Sequence, residues 1–129
     1  MATEATVLAA LLATLTTAAS PQPAHSIDQL GRMTTKPSDY IEVGLSRRFA
    51  EVTRLDPGAD IVHWRLTVRA VAVTGGGARD LLTRARVALD GHMFAVGAET
   101  TTPVLFETGA PVGPDDSWWS GLDVWTFAI

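Results

Sequence analysis

From Asp60 to Thr74 the chain alternates, with Val62, Trp64, Leu66, Val68, Ala70 and Ala72 on one parity and His63, Arg65, Thr67 and Arg69 on the other. A period of two is the mark of a half-buried strand. Extended over Val62 to Val73, it would reach roughly 40 Å at about 3.3 Å per residue, well beyond the usual five or six residues. This predicts a strand that overruns its own core, with the overrun covered by a neighbouring subunit. A second alternating run begins at Tyr40, with Ile41, Val43, Leu45 and Phe49 set against Glu42, Ser46 and Arg48, and Arg47 interrupting the apolar parity. Between the two runs, Leu55-Asp56-Pro57-Gly58-Ala59-Asp60 has the residues of a tight turn, since Pro presets one turn angle and Gly accepts positive φ. Residues 39–74 therefore predict a long antiparallel hairpin. Its distal half carries Arg47, Arg48, Arg54, Asp56, Asp60 and His63, and is expected to leave the core as a charged arm.

Before the hairpin, residues 1–19 predict a helix capped by Thr3, with Glu4 in its first turn and an apolar stripe of Leu8, Leu11, Leu12 and Leu15. Pro21-Gln22-Pro23 stops it. Residues 20–38, with few apolar anchors, predict an irregular loop longer than most connections. Beyond the hairpin, Gly75-Gly76-Gly77 reads as a flexible strand-to-helix turn. Residues 78–90 then predict an amphipathic helix whose Leu81, Leu82, Ala85, Ala88 and Leu89 should pack on the Trp64/Leu66/Val68 face. Residues 92–129 predict strands: Met93 to Val96, Pro103 to Thr108, and Trp118 to Ile129, separated by a turn-rich loop over 109–117. The last run is apolar on both parities, which predicts a strand covered on both faces. The elements form one α+β domain, a mainly antiparallel sheet of four to five strands with a long hairpin, flanked by an N-terminal and a central helix.

Composition narrows the chemistry. The 129 residues carry ten basic side chains, nine of them Arg, against fourteen acidic ones, a formal charge of -4. That balance lacks the basic footprint of a nucleic-acid-binding domain. The chain has no cysteine, which excludes disulfides and thiolate metal ligands. The Val7–Leu15 run is too short for a membrane span, and with no Lys or Arg before Arg32 it does not read as a secretory leader. Gly75-Gly76-Gly77 fits neither dinucleotide nor P-loop spacing. His25, His63 and His92 stand at no metal-ligand spacing, and no serine sits in a nucleophile elbow. No catalytic, cofactor or metal constellation is therefore expected. The sharpest local feature is Asp115-Asp116 ahead of Trp118-Trp119. Paired carboxylates beside aromatics can hold a cation or a sugar, or can simply cap a turn while the indoles pack. Adjacent tryptophans in a strand point to opposite faces, which puts one of them at a partner surface, where Trp is enriched.

The Ala/Leu helix, the Pro-rich turn, Trp64-Arg65-Leu66-Thr67-Val68-Arg69-Ala70-Val71, the helix from Ala78-Arg79-Asp80 to Leu89-Asp90-Gly91, and Thr102-Pro103-Val104-Leu105-Phe106-Glu107-Thr108 together resemble the tail terminator proteins of long-tailed bacteriophages. The closing Gly113-Pro114-Asp115-Asp116-Ser117-Trp118-Trp119-Ser120-Gly121-Leu122-Asp123-Val124-Trp125-Thr126-Phe127 is similar to the end of such proteins from actinobacterial phages and prophages. The resemblance implies a non-enzymatic virion protein made in the host cytoplasm. It would form a homo-hexameric ring at the head-proximal end of the tail tube, stop tube polymerisation, and join the tail to a head completion or connector protein. DNA would slide through the lumen without specific binding, which an acidic ring favours. Within that picture the subunit and partner interfaces are expected at Arg47, Arg48, Arg54, His63, Asp115, Asp116, Trp118 and Trp119. Another head–tail connector or minor tail protein, or a small ligand-binding module, are the alternatives.

Overall fold

A computed structural model describes residues 3–35, 37–47 and 61–129. The elements in chain order are α1 (Glu4–Ala19), β1 (Ala24–Ser26), α2 (Ile27–Arg32), β2 (Tyr40–Arg47), β3 (His63–Ala72), α3 (Gly75–Leu89), β4 (Ala95–Val96), β5 (Glu99–Thr100), β6 (Leu105–Asp115) and β7 (Trp118–Ala128). Five strands form one sheet in the order β1-β2-β3-β7-β6, antiparallel throughout except for the β1–β2 pair, and β4 and β5 form a small separate hairpin. The α+β class with a mainly antiparallel sheet and two flanking helices is thus present.

The alternation seen in the sequence builds this layer. Trp64, Leu66, Val68, Ala70 and Ala72 of β3 are all buried on one face, beside Ile41 and Val43 of β2 and Trp125 and Phe127 of β7. Helices α1 and α3 cover that face. On α1 the buried stripe is Val7, Leu11, Leu15 and Ala19, one residue per turn, while Leu8 and Leu12 sit at its margin. Thr3 caps the helix as its sequence implies, and the Thr6 hydroxyl oxygen accepts from the Thr3 backbone N–H at 2.9 Å. On α3 the buried residues are Ala78, Leu81, Leu82, Ala85 and Leu89.

Several expectations need correction. Residues 20–38 are not wholly irregular: they contain β1 and α2, and Ser26 caps α2 by accepting from the Gln29 N–H while the Gln29 carboxamide accepts from the Ser26 N–H. The three glycines are not a turn but the first turn of α3, capped by the Thr74 hydroxyl accepting from Gly77 N–H at 3.0 Å. The 109–117 loop is largely strand, because β6 runs to Asp115 and only Asp116 and Ser117 turn. Finally, β3 does not overrun its core within the described residues. All ten of its residues pair with β7, and Trp64 to Val71 also pair with β2. The distal arm falls outside the described residues.

The opposite face of the sheet is largely uncovered. Among the described residues only α2 lies on it, where Leu30 packs with Tyr40 and Val71 and is flanked by Met33 and Trp118. A side chain at Gly44 would bring its Cβ to 2.9 Å from Ile27 Cδ1, so the glycine lets this short helix approach β2. The remainder of the face presents Arg65, Thr67, Arg69, Leu122, Val124 and Thr126, none of them fully buried. Strand β7 is therefore not covered on both faces as its apolar parities predict: one face is buried under the helices, and the other, from Leu122 to Thr126, is only half-buried.

Candidate functional site

Six of the eight residues singled out in the sequence are described, and they divide between the two ends of the sheet. Arg48 and Arg54 lie outside the described residues. Arg47 and His63 are exposed at the end where β2 stops and β3 begins. Arg47 interrupts the apolar parity because its guanidinium lies 5.8 Å from the centre of the Trp64 ring, an arrangement in which the cation stays wet while its stem covers the indole. The other four flank the β6–β7 turn, about 30 Å away along β3 at 3.3 Å per residue. The six described residues do not make one site.

The β6–β7 end holds a cluster of charged and aromatic side chains that surrounds a cavity. Arg69 projects from the uncovered face opposite Glu42 of β2. Its guanidinium donates to the Asp115 carboxylate, reaches Ser120 Oγ at 3.5 Å, and stands 3.8 Å from Glu42 Oε2. Ser120 in turn donates to Asp115 Oδ2 at 3.2 Å. Asp116 occupies the turn with φ of 54°, a left-handed backbone that Asp tolerates better than most residues. Trp118 lies on the same face as Asp115, whereas Trp119 lies on the helix face, where a Cβ on Gly75 would come within 3.2 Å of its ring. The adjacent tryptophans thus point to opposite faces as expected, and both are half-buried by their own chain.

Two shallow cavities adjoin the Arg69–Asp115 pair. One, of about 200 Å³, is lined by Tyr40, Arg69, Val71, Asp115, Asp116 and Trp118. The other, of about 270 Å³, lies over Pro111, Gly113, Pro114 and Leu122. Sequence reasoning missed Tyr40, Glu42, Arg69 and Ser120 as members of this cluster. The carboxylate beside tryptophan was a visible signal. The partners were not, because they depend on which residue of β2 faces which residue of β3.

Burial pushes the Tyr40 hydroxyl above its ordinary pKa of 10.0, and the nearby Glu42 and Asp115 carboxylates push in the same direction against Arg69. A raised native pKa means that the neutral form is favoured by folding. The associated stability is complete below the ordinary tyrosine value and is lost as pH rises through the native one. Tyr40 is the single tyrosine of the chain, so the phenolate absorbance reports on it alone. The titration of the native protein is expected to have its midpoint above that of a tyrosine model peptide, and the guanidinium-unfolded protein is expected to return to the model value. Coincident native and unfolded curves would contradict the buried placement.

A second charged pair, buried at its carboxylate end, lies on the helix face. Asp123, wholly inaccessible, accepts two hydrogen bonds from Arg86 of α3, from Nε at 2.7 Å and from Nη2 at 2.9 Å. Among the described residues no helix is long and apolar enough to cross a membrane, and no group of three or more His, Asp or Glu side chains could hold a metal ion.

The architecture is that of a single five-stranded sheet with two helices on one face and a short helix on the other. No protein-family model matches the chain, and no curated protein matches it. Among solved structures, one protein chain superposes over 99% of this chain and 96% of its own length, with a TM-score of 0.69 and 13% sequence identity. At that identity the likeness speaks to the fold, which the two chains share from end to end.

Proposed function

We propose that the chain is a structural subunit of a bacteriophage tail, a tail terminator that assembles as a hexameric ring on the head-proximal end of the tail tube. The observation that carries this reading is the β6 edge. Leu105 to Pro111 is a run of seven consecutive exposed residues on an outermost strand, and Leu105 and Phe106 are 59% and 51% exposed. Apolar side chains gathered at a sheet edge invite a neighbouring subunit. Pro111 and Pro114, with register shifts after Phe106 and after Ala110, interrupt the outer ladder. The edge is therefore better suited to side-chain packing against the next subunit than to a continuous added strand. The sequence resemblance over 102–108 spans the start of this edge, and that over 113–127 spans its end and the central strand β7. A net charge of -4 suits a ring through which DNA slides without adhering.

In this reading the tail tube protein and a head completion protein bind the two rims of the ring. Electron microscopy of the purified protein over a concentration series, alone and with tail tubes from the same source, tests the proposal. Six-fold rings, or a cap at one tube end, are the expected result. A ring that joins the virion elsewhere would favour a connector, and a monomer that never decorates tubes would overturn the proposal. Leu105→Glu should leave the monomer folded, since this side chain is mostly in water, while weakening ring assembly at least tenfold, equivalent to about 1.4 kcal/mol. Sedimentation velocity reads the effect directly, and unchanged assembly would remove the β6 edge from the interface.

A further inference from the structure

The hydroxyl of Tyr40 sets the cavity at the β6–β7 end apart from an ordinary surface dimple. Tyr40 is only 6% exposed, lines the cavity of about 200 Å³, and has no hydrogen-bond partner for its hydroxyl among the described residues. The Tyr40 ring is buried while its hydroxyl keeps access to solvent at the cavity, where an incoming donor can reach it. Around it the charges do not balance: Glu42, Asp115 and Asp116 face one cation, Arg69. Asp115 is already engaged by Arg69 and Ser120, whereas Asp116 makes no ion pair within the described chain. Trp118 forms an aromatic wall beside it.

We propose that this cavity is a receptor for one basic side chain, a lysine ammonium or arginine guanidinium, carried by a partner protein. The incoming cation would be held between the Asp116 carboxylate and the Trp118 ring, and would donate a hydrogen bond to the Tyr40 oxygen. Each element has a physical reason. The carboxylate supplies a charge-assisted hydrogen bond, the indole face attracts a cation, and the neutral phenol offers an acceptor that no residue of the chain uses. The raised pKa of Tyr40 keeps that phenol neutral across the physiological range. The size also fits, because the cavity is smaller than the roughly 300–1,000 Å³ of small-molecule sites and suits a single side chain. An anion is disfavoured, since Arg69 is already engaged by two carboxylates and Asp116 guards the mouth. The neighbouring cavity over Pro111 and Leu122 shares Arg69 and Asp115, so the chain segment bearing the basic residue can continue into it. The inference stands on these groups and not on the ring, and holds for a partner in a tail or elsewhere.

The test is an NMR titration of the full chain with N-acetyl-arginine methylamide and N-acetyl-lysine methylamide, with the glutamate analogue as control and spermidine as a free-amine competitor. Saturable shifts at the Trp118 indole N–H and the Tyr40 ring are expected with both basic probes and not with the glutamate analogue. Asp116→Asn and Tyr40→Phe should each weaken binding at least threefold. Both are mild changes, because Asn accepts the left-handed φ at 116 and Phe keeps the Tyr40 ring, and the remaining amide shifts report that the fold is intact. The proposal is overturned if the basic probes leave Trp118 and Tyr40 unmoved. It is equally overturned if the variants bind as the parent does, or if spermidine saturates the site more tightly than either blocked amino acid, which would assign it to a free polyamine. None of these outcomes depends on whether the protein forms rings, so failure here is distinct from failure of the tail assignment.

Discussion

Truncation after Val124 is expected to abolish cooperative folding. The five residues removed include Trp125 and Phe127, which are 2% and 4% exposed. They also include the C-terminal part of β7 that pairs with His63 to Leu66 on one side and with Leu105 and Phe106 on the other. Removing a buried aromatic of this size costs about 3–5 kcal/mol, against a total stability of about 5–15 kcal/mol for a domain. The two aromatics alone therefore reach the scale of the whole. The loss would also leave unpaired the backbone of β3 in the middle of the sheet, and would break the reciprocal Val62–Ile129 hydrogen bonds of 2.9 and 3.0 Å. Circular dichroism and urea unfolding check the outcome. A soluble truncated protein with a sigmoidal transition would show that β7 is dispensable at this end. The single change Trp125→Ala separates burial from chain length. It should lower stability by about 3–5 kcal/mol while the protein still folds, and it also removes the edge-to-face contact with Phe106, whose ring centre lies 5.4 Å away.

The legibility of this fold in the sequence followed how each strand is covered. Strands β2 and β3 have a wet face and a dry one, so their alternation is visible. Strand β7 is apolar on both parities, although of its large apolar residues only the helix-facing Trp125 and Phe127 are buried, and Leu122 and Val124 stand half-buried on the other face. The edge strand β6 was hidden. Its outer N–H groups need no partner within the sheet, so Pro111, Pro114, Gly109 and Gly113 are tolerated in a strand and imitate a loop. Helix α2, at six residues, is too short to show a period, although Ser26 and Gln29 have the spacing of a capping box and could have marked its start. The length of β3 was readable but its cover was not, since that depends on β7 pairing alongside from a distant part of the chain. The site followed the same logic. Asp115, Asp116 and Trp118 are neighbours in sequence and stood out, whereas Tyr40 and Arg69 join them only through the β2–β3 and β3–β7 registers.

Replacing Arg86 with alanine is expected to destabilise the protein more than replacing Asp123, although both remove the same ion pair. The two partners differ in burial. The Arg86 side chain is 49% exposed and its carboxylate partner 1%. If Asp123 is shortened to alanine, the guanidinium can swing from the surface of α3 into water, and the loss is that of a charged hydrogen bond plus a small void, about 1–3 kcal/mol. If Arg86 is removed, a carboxylate remains under α3 with no cation beside it, and breaking a buried pair in this way costs about 3–5 kcal/mol. Relaxation is restricted because β6 closes over the same carboxylate: a Cβ on Gly109 would lie 2.8 Å from Asp123 Oδ1 and 2.7 Å from the Leu122 carbonyl oxygen. The direction of the Arg86 pKa, raised chiefly by its hydrogen bond to Asp123, agrees with a pair held together in the native state. Urea unfolding of the two single variants and of the double variant measures the asymmetry. The double variant should be less destabilised than Arg86→Ala alone, since removing the carboxylate relieves the stranded charge. Equal losses in the two single variants would mean that Asp123 reaches water, and that the one buried acid of the described core is not what fixes α3 against β7.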